Sequence, residues 1–161
     1  MSDRTATLYG LVLLAALGTP VSAEAADRVR QSGNIGVGLG ATNFGIGAVG
    51  KYFVNEANAV QALVGVAESG TAFVVQADYL YNFDPILRDD QHTLGWYAGF
   101  GGTLSPGASE LMLGVAGIIG LDFNLDVAPL DIYVEVRPTL ILAPSADLRP
   151  VAAGSGVRYF F

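Results

Sequence analysis

The chain has no cysteine, which excludes both a disulfide framework and a thiolate metal centre. It has a single histidine, His92, so a Ser-His-Asp arrangement or a multi-histidine metal site lacks the parts it needs. Positive charge is scarce as well: eight Lys and Arg residues stand against fifteen Asp and Glu, a net charge of −7. The basic residues are scattered and form no stripe that could replace counterions on phosphate, which excludes nucleic acid as a partner. No window outside the first residues sustains a helical period. The one long apolar run, Leu8 to Leu17, is too short to cross a bilayer as a helix.

That run has the shape of an export leader. Arg4 precedes it, Gly18 and Pro20 break it, and Val21-Ser22-Ala23 offers the small-x-small pattern that a signal peptidase cleaves. A signal peptide over 1–23 is expected, with cleavage after Ala23 or, as second choice, Ala25; an uncleaved anchor is the alternative. Asp3 and Arg4 cancel, so cleavage leaves the net charge unchanged. A short N-terminal segment, 24–32, then leads into one domain over 33–161.

What fills that domain is period-two alternation. Eight strands are expected, at Asn34 to Ala41, Gly45 to Val54, Ala57 to Ala67, Thr71 to Phe83, Thr93 to Leu104, Glu110 to Asn124, Pro129 to Leu142 and Leu148 to Phe161. Turn signals separate them, among them Thr42-Asn43, Asn55-Glu56, Ser105-Pro106-Gly107 and Pro144 to Asp147. Several reach the roughly nine to eleven residues that a tilted transmembrane strand needs.

The two faces differ sharply. Phe73, Val75, Ala77, Tyr79, Tyr81 and Phe83 alternate with Gln76, Asp78 and Asn82, and Leu130, Ile132, Val134 and Val136 alternate with Asp131, Tyr133, Glu135 and Arg137. In a membrane, charges cannot face lipid and open sheet edges are costly, so the sheet must close with its charges inside. Lys51, Asp78, Asp122, Asp131, Glu135, Arg137 and Arg158 are therefore expected to form an interior charge network, with Arg158 turned toward Glu135 or Asp78. Eight strands leave a bore filled by side chains. Tyr52, Phe53, Tyr81, Phe83, Trp96, Tyr97, Tyr159 and Phe161 fall near expected strand ends, where rings sit at a water interface. Gly36, Gly38, Gly40, Gly45 and Gly47 allow curvature and leave room for facing side chains.

The chain ends Gly156-Val157-Arg158-Tyr159-Phe160-Phe161, with apolar residues alternating up to a terminal aromatic. In this ending, and in the alternating strands before it, the sequence resembles the small eight-stranded outer-membrane β-barrels of Gram-negative bacteria, the OmpA-like group. Ala128 to Pro138 looks like the penultimate strand of poorly characterised members of that superfamily. The resemblance implies that Gly156, Tyr159 and Phe161 form the insertion signal read by the barrel assembly machinery; the position two before that glycine, usually polar, is Gly154 here. It also implies periplasmic termini, with the turns near Thr42, Ser69, Ser105 and Ser145 facing outward. All four are short, which gives little support to adhesion.

Three other clusters have blander explanations. His92 with Asp89 and Asp90 lacks a third fixed ligand and reads as a solvated turn. Gly36-Val37-Gly38-Leu39-Gly40 does not open a helix as a dinucleotide loop must. Glu135, Arg137, Arg158 and Asp78 could form a gate, but a structural ion-pair network is the favoured reading, because a narrow eight-stranded interior needs its charges paired whatever the function. The expectation is an all-β, up-and-down transmembrane barrel, monomeric and non-enzymatic, without cofactor, exported to an outer membrane whose lipid is its main partner, in a structural or membrane-integrity role. The alternatives are an exported soluble lipocalin-like barrel holding an apolar ligand, and a narrow pore.

Overall fold

Alternation in this chain can satisfy the backbone only if every strand finds two neighbours. The computed structural model describes residues 29–67, 70, 72–88, 92–106, 111–125 and 128–161, and in it all strands but two short segments, 87–88 and 147–149, do. The expected signal peptide, most of the segment 24–32, and Asp89 and Asp90 lie outside the described residues.

The strands in chain order are β1 (Ile35–Thr42), β2 (Gly45–Phe53), β3 (Asn58–Ala67), β4 (Phe73–Asn82), β5 (Leu87–Arg88), β6 (His92–Pro106), β7 (Leu111–Leu125), β8 (Leu130–Val136), β9 (Thr139–Ala143), β10 (Asp147–Arg149) and β11 (Ala153–Phe160). Each main strand pairs antiparallel with its neighbours, and β11 returns to β1 from Gly36↔Phe160 to Thr42↔Gly154. β6 and β7 join the two halves through the longest ladder, from His92↔Leu125 to Pro106↔Leu111. The result is a closed eight-stranded antiparallel up-and-down barrel. Closure removes the edges that would otherwise leave backbone groups unpaired.

Ten of the eleven strand segments make up eight staves, because the last two staves are each interrupted. The expected strand from Pro129 to Leu142 divides into β8 and β9 at Arg137-Pro138, and the one from Leu148 to Phe161 divides into β10 and β11 at Pro150-Val151-Ala152. Proline has no N–H to give a ladder. The chain bridges the gap by other means: Arg137 N donates to Ala152 O at 2.6 Å and Gly117 N to Pro138 O at 3.1 Å. β5 is a short addition on the edge of β6.

Side chains follow the alternation. Along β7, all odd positions from Leu111 to Phe123 are exposed, and even positions from Gly114 to Asn124 are buried. β4 and β8 repeat the pattern, so the apolar residues expected outside are outside. Two of the expected interfacial aromatics are not: Phe53 and Tyr97 are fully buried in the bore. Each lies next to an aromatic that does face out, Tyr52 and Trp96, and adjacent strand residues cannot share a face.

The bore is layered. Val29, Phe53, Ala59 and Phe160 cluster at the end where the described chain starts and stops, hereafter the terminal end. Phe44, Leu63, Val74, Ile141 and Ala152 cluster at the opposite, loop end. Thr42 pairs with Gly45, leaving Asn43-Phe44 as a two-residue turn that tucks Phe44 into this cap. Between the two caps lie the charges.

Candidate functional site

The two largest fully buried side chains of the barrel are arginines, Arg137 and Arg158, at 1% and 0% exposure. Burial of a charge is tolerated only with a partner and further hydrogen bonds. Each arginine has them. Arg137 Nη1 and Nη2 donate to Asp78 Oδ2 and Oδ1, both at 2.8 Å, a two-pronged match of guanidinium to carboxylate. The same Nη1 donates to Glu135 Oε1 at 2.7 Å, and Tyr97 Oη donates to Glu135 Oε2 at 2.9 Å.

Arg158 has a different carboxylate from those expected. Asp78 and Glu135 are already held by Arg137, and Arg158 Nε donates to Asp131 Oδ2 at 2.9 Å. Its register explains the choice, because Arg158 lies directly opposite Asp131 in the β8–β11 ladder. The guanidinium also lies 4.0 Å from the centre of the Tyr133 ring. Gln61 joins the two sets: its Nε2 donates to Asp78 and Glu135 at 3.4 and 3.3 Å, and its Oε1 accepts from Arg158.

A third set sits nearer the terminal end. Lys51 Nζ donates to Asn82 Oδ1 at 2.9 Å and reaches Asp122 Oδ2 at 3.5 Å. The closer cation for Asp122 is Arg30, whose Nη2 donates to Oδ1 at 2.8 Å while Nη1 donates to Phe83 O at 2.7 Å. Arg30 precedes the first strand and enters the barrel mouth beside Val29. With it, Arg30, Lys51, Arg137 and Arg158 match Asp78, Asp122, Asp131 and Glu135 charge for charge.

Glycine makes this density of side chains sterically feasible. A Cβ on Gly101 would come within 1.9 Å of Asp78 Oδ1, one on Gly120 within 2.3 Å of the Tyr97 ring, and one on Gly95 within 1.7 Å of Arg30 Nη2. Gly40 and Gly156 likewise leave space for Tyr133. Thus Gly156 of the expected insertion signal faces inward, whereas Tyr159 and Phe161 lie on the outer side with their rings edge-on, 5.0 Å apart.

All seven expected interior charges face the bore. Arg30, Gln61, Tyr97 and Tyr133 belong to the same network beyond the seven charges expected. Tyr97 and Tyr133 share parity with known inward residues, a signal present in the sequence; Arg30 lies outside any strand and gave none. His92 opens β6 rather than lying in a turn, and its ring stacks on Phe123 with centroids 5.4 Å apart. No group of three or more potential metal ligands occurs among the described residues. Comparison with protein-family profiles, curated proteins and solved structures found no match to the chain.

Proposed function

We propose that this protein is an integral outer-membrane β-barrel with a structural or membrane-integrity role, a filled bore and no enzymatic activity. The observation that carries the reading is the inversion of polarity: large apolar side chains cover the outer wall while charged groups occupy the middle of the interior. A barrel folded in water gains its stability by the opposite arrangement. A lipocalin-like carrier would need an apolar cavity where this bore holds Arg137 and Arg158. The apolar caps at both ends, with the ion-paired layer between them, favour a filled barrel over a conducting one. Lipid is then the principal partner, the assembly machinery a transient one, and a monomer sufficient.

Fractionation tests the reading directly. The protein should remain in outer membranes after carbonate washing and migrate differently in SDS gels before and after boiling. Trp96 is the single tryptophan and lies half-buried beside Phe83, with ring centroids 3.9 Å apart. Brominated lipids should quench its emission. A protein that stays soluble, and whose Trp96 ignores such lipids, refutes the proposal. Val134→Arg on the outer wall should impair insertion, at a cost of up to about 2–4 kcal/mol near mid-bilayer, whereas Ser145→Arg in an exposed turn should not; equal insertion of the two would reject the lipid face.

A further inference from the structure

A polar cavity of about 820 Å³ opens at the terminal end of the barrel. Arg30, Glu56, Asp84, Arg88, Thr93 and Asn124 line it, with Phe83 on one wall. Two of these residues are buried without satisfying their oxygens: Thr93 Oγ1 and Asn124 Oδ1 have no partner, on residues 4% and 2% exposed. They are directly opposite each other across β6 and β7. Arg30 Nε is unpartnered too, although the rest of its guanidinium is held by Asp122 and Phe83 O. Asn82 on the same lining shows the contrast, since its Oδ1 accepts from Lys51 and its Nδ2 donates to Ala57 O. Unpartnered buried atoms also occur in the packed middle of the bore, at Asp131 Oδ1, Arg137 Nε and Arg158 Nη2, but Thr93, Asn124 and Arg30 gather theirs on the lining of an open cavity, where another molecule can supply the missing bonds.

We propose that this cavity binds a neutral, hydroxyl-rich ligand of the short-saccharide class, with Thr93 and Asn124 as its inner contacts. Each hydroxyl of such a ligand donates and accepts, which suits an acceptor on Asn124, a hydroxyl on Thr93 and a donor on Arg30. Two carboxylates and two guanidiniums on the lining leave no net sign of charge to select an anion or a cation. The volume lies within the roughly 300–1,000 Å³ of small-molecule sites and far exceeds that of one bridging water, about 30 Å³. The inference does not depend on the solvent around the outer wall, because the mouth faces water in a membrane barrel and in a soluble one.

Maltotriose and triacetylchitotriose are suitable probes for the folded, isotope-labelled full-length mature protein. Saturable millimolar shifts of the Asn124 side-chain amide and the Thr93 backbone amide with either sugar support the site. The near-isosteric Thr93→Val should weaken them by about tenfold, or 1.4 kcal/mol, while leaving the heat-dependent gel migration intact; Asn124→Leu should do the same, and if it fails to fold, Thr93→Val carries the test. No shift with either sugar, an unchanged affinity in Thr93→Val, or shifts produced by inorganic phosphate or a Glu-Arg dipeptide in place of the sugars would overturn the proposal. Loss of membrane association with the sugar shifts retained would count against the membrane reading alone.

Discussion

The Arg137 and Arg30 ends of the charge network solve the same problem differently. Arg137 is held by Asp78 and Glu135, both on the barrel wall, through three donor contacts of 2.7–2.8 Å. Asp122 is held by Lys51 on the wall at 3.5 Å and by Arg30 from outside it at 2.8 Å. The first set is complete once the strands pair. The second is complete only when the segment before β1 docks into the mouth. The wall therefore specifies its own interior near Arg137, whereas near Asp122 the ion pairing and the stopper form together.

The largest break in that comparison is Arg137→Met, which leaves Asp78 and Glu135 facing each other without their cation. Removing one partner of a buried ionic set costs about 3–5 kcal/mol, so urea unfolding in lipid vesicles should shift to markedly lower denaturant. Adding Asp78→Asn and Glu135→Gln should recover part of the loss; an unchanged midpoint for Arg137→Met alone would mean the triad contributes little. Gly120→Ala comes next. Its methyl group meets the rigid Tyr97 ring and should cost roughly 1–3 kcal/mol, toward the upper end, visible as a lower unfolding midpoint.

Arg30→Ala should be milder, because its side chain is 14% exposed and Asp122 retains Lys51. A loss near the lower end of the ~1.5–3 kcal/mol for hydrogen bonds to charged groups is expected. Faster hydrogen exchange should be confined to the mouth, around Phe53 and Phe160. If exchange rises equally around Arg137, the two halves are not separable. Gly95→Ala should act in the same direction with a smaller effect, since the nearest atom it meets is the movable end of Arg30.

Much of this architecture is legible from alternation alone. The inward parity of Asp131, Tyr133, Glu135 and Arg137 places all four in the bore once closure is accepted. The same rule places Phe53 with Lys51, and Tyr97 with Thr93, against the interfacial position that their nearness to strand ends suggests. Which charges meet was not legible. Arg158 finds Asp131 because of the β8–β11 register, and Arg137 finds Asp78 across the bore, where separation depends on stagger around the whole ring. The break at Pro138 was marked in the chain by proline itself. Arg30 carried no strand pattern to place it.

The even match of four cations and four anions in the bore has a consequence for how the molecule is sensed from outside. Since those eight charges sum to zero, the net −7 rests wholly on the remaining residues. Added salt screens exposed charges over a Debye length of about 8 Å at physiological strength and acts much less on buried pairs. Ionic strength should therefore tune the approach of other charged molecules to the barrel while leaving its internal electrostatics nearly untouched.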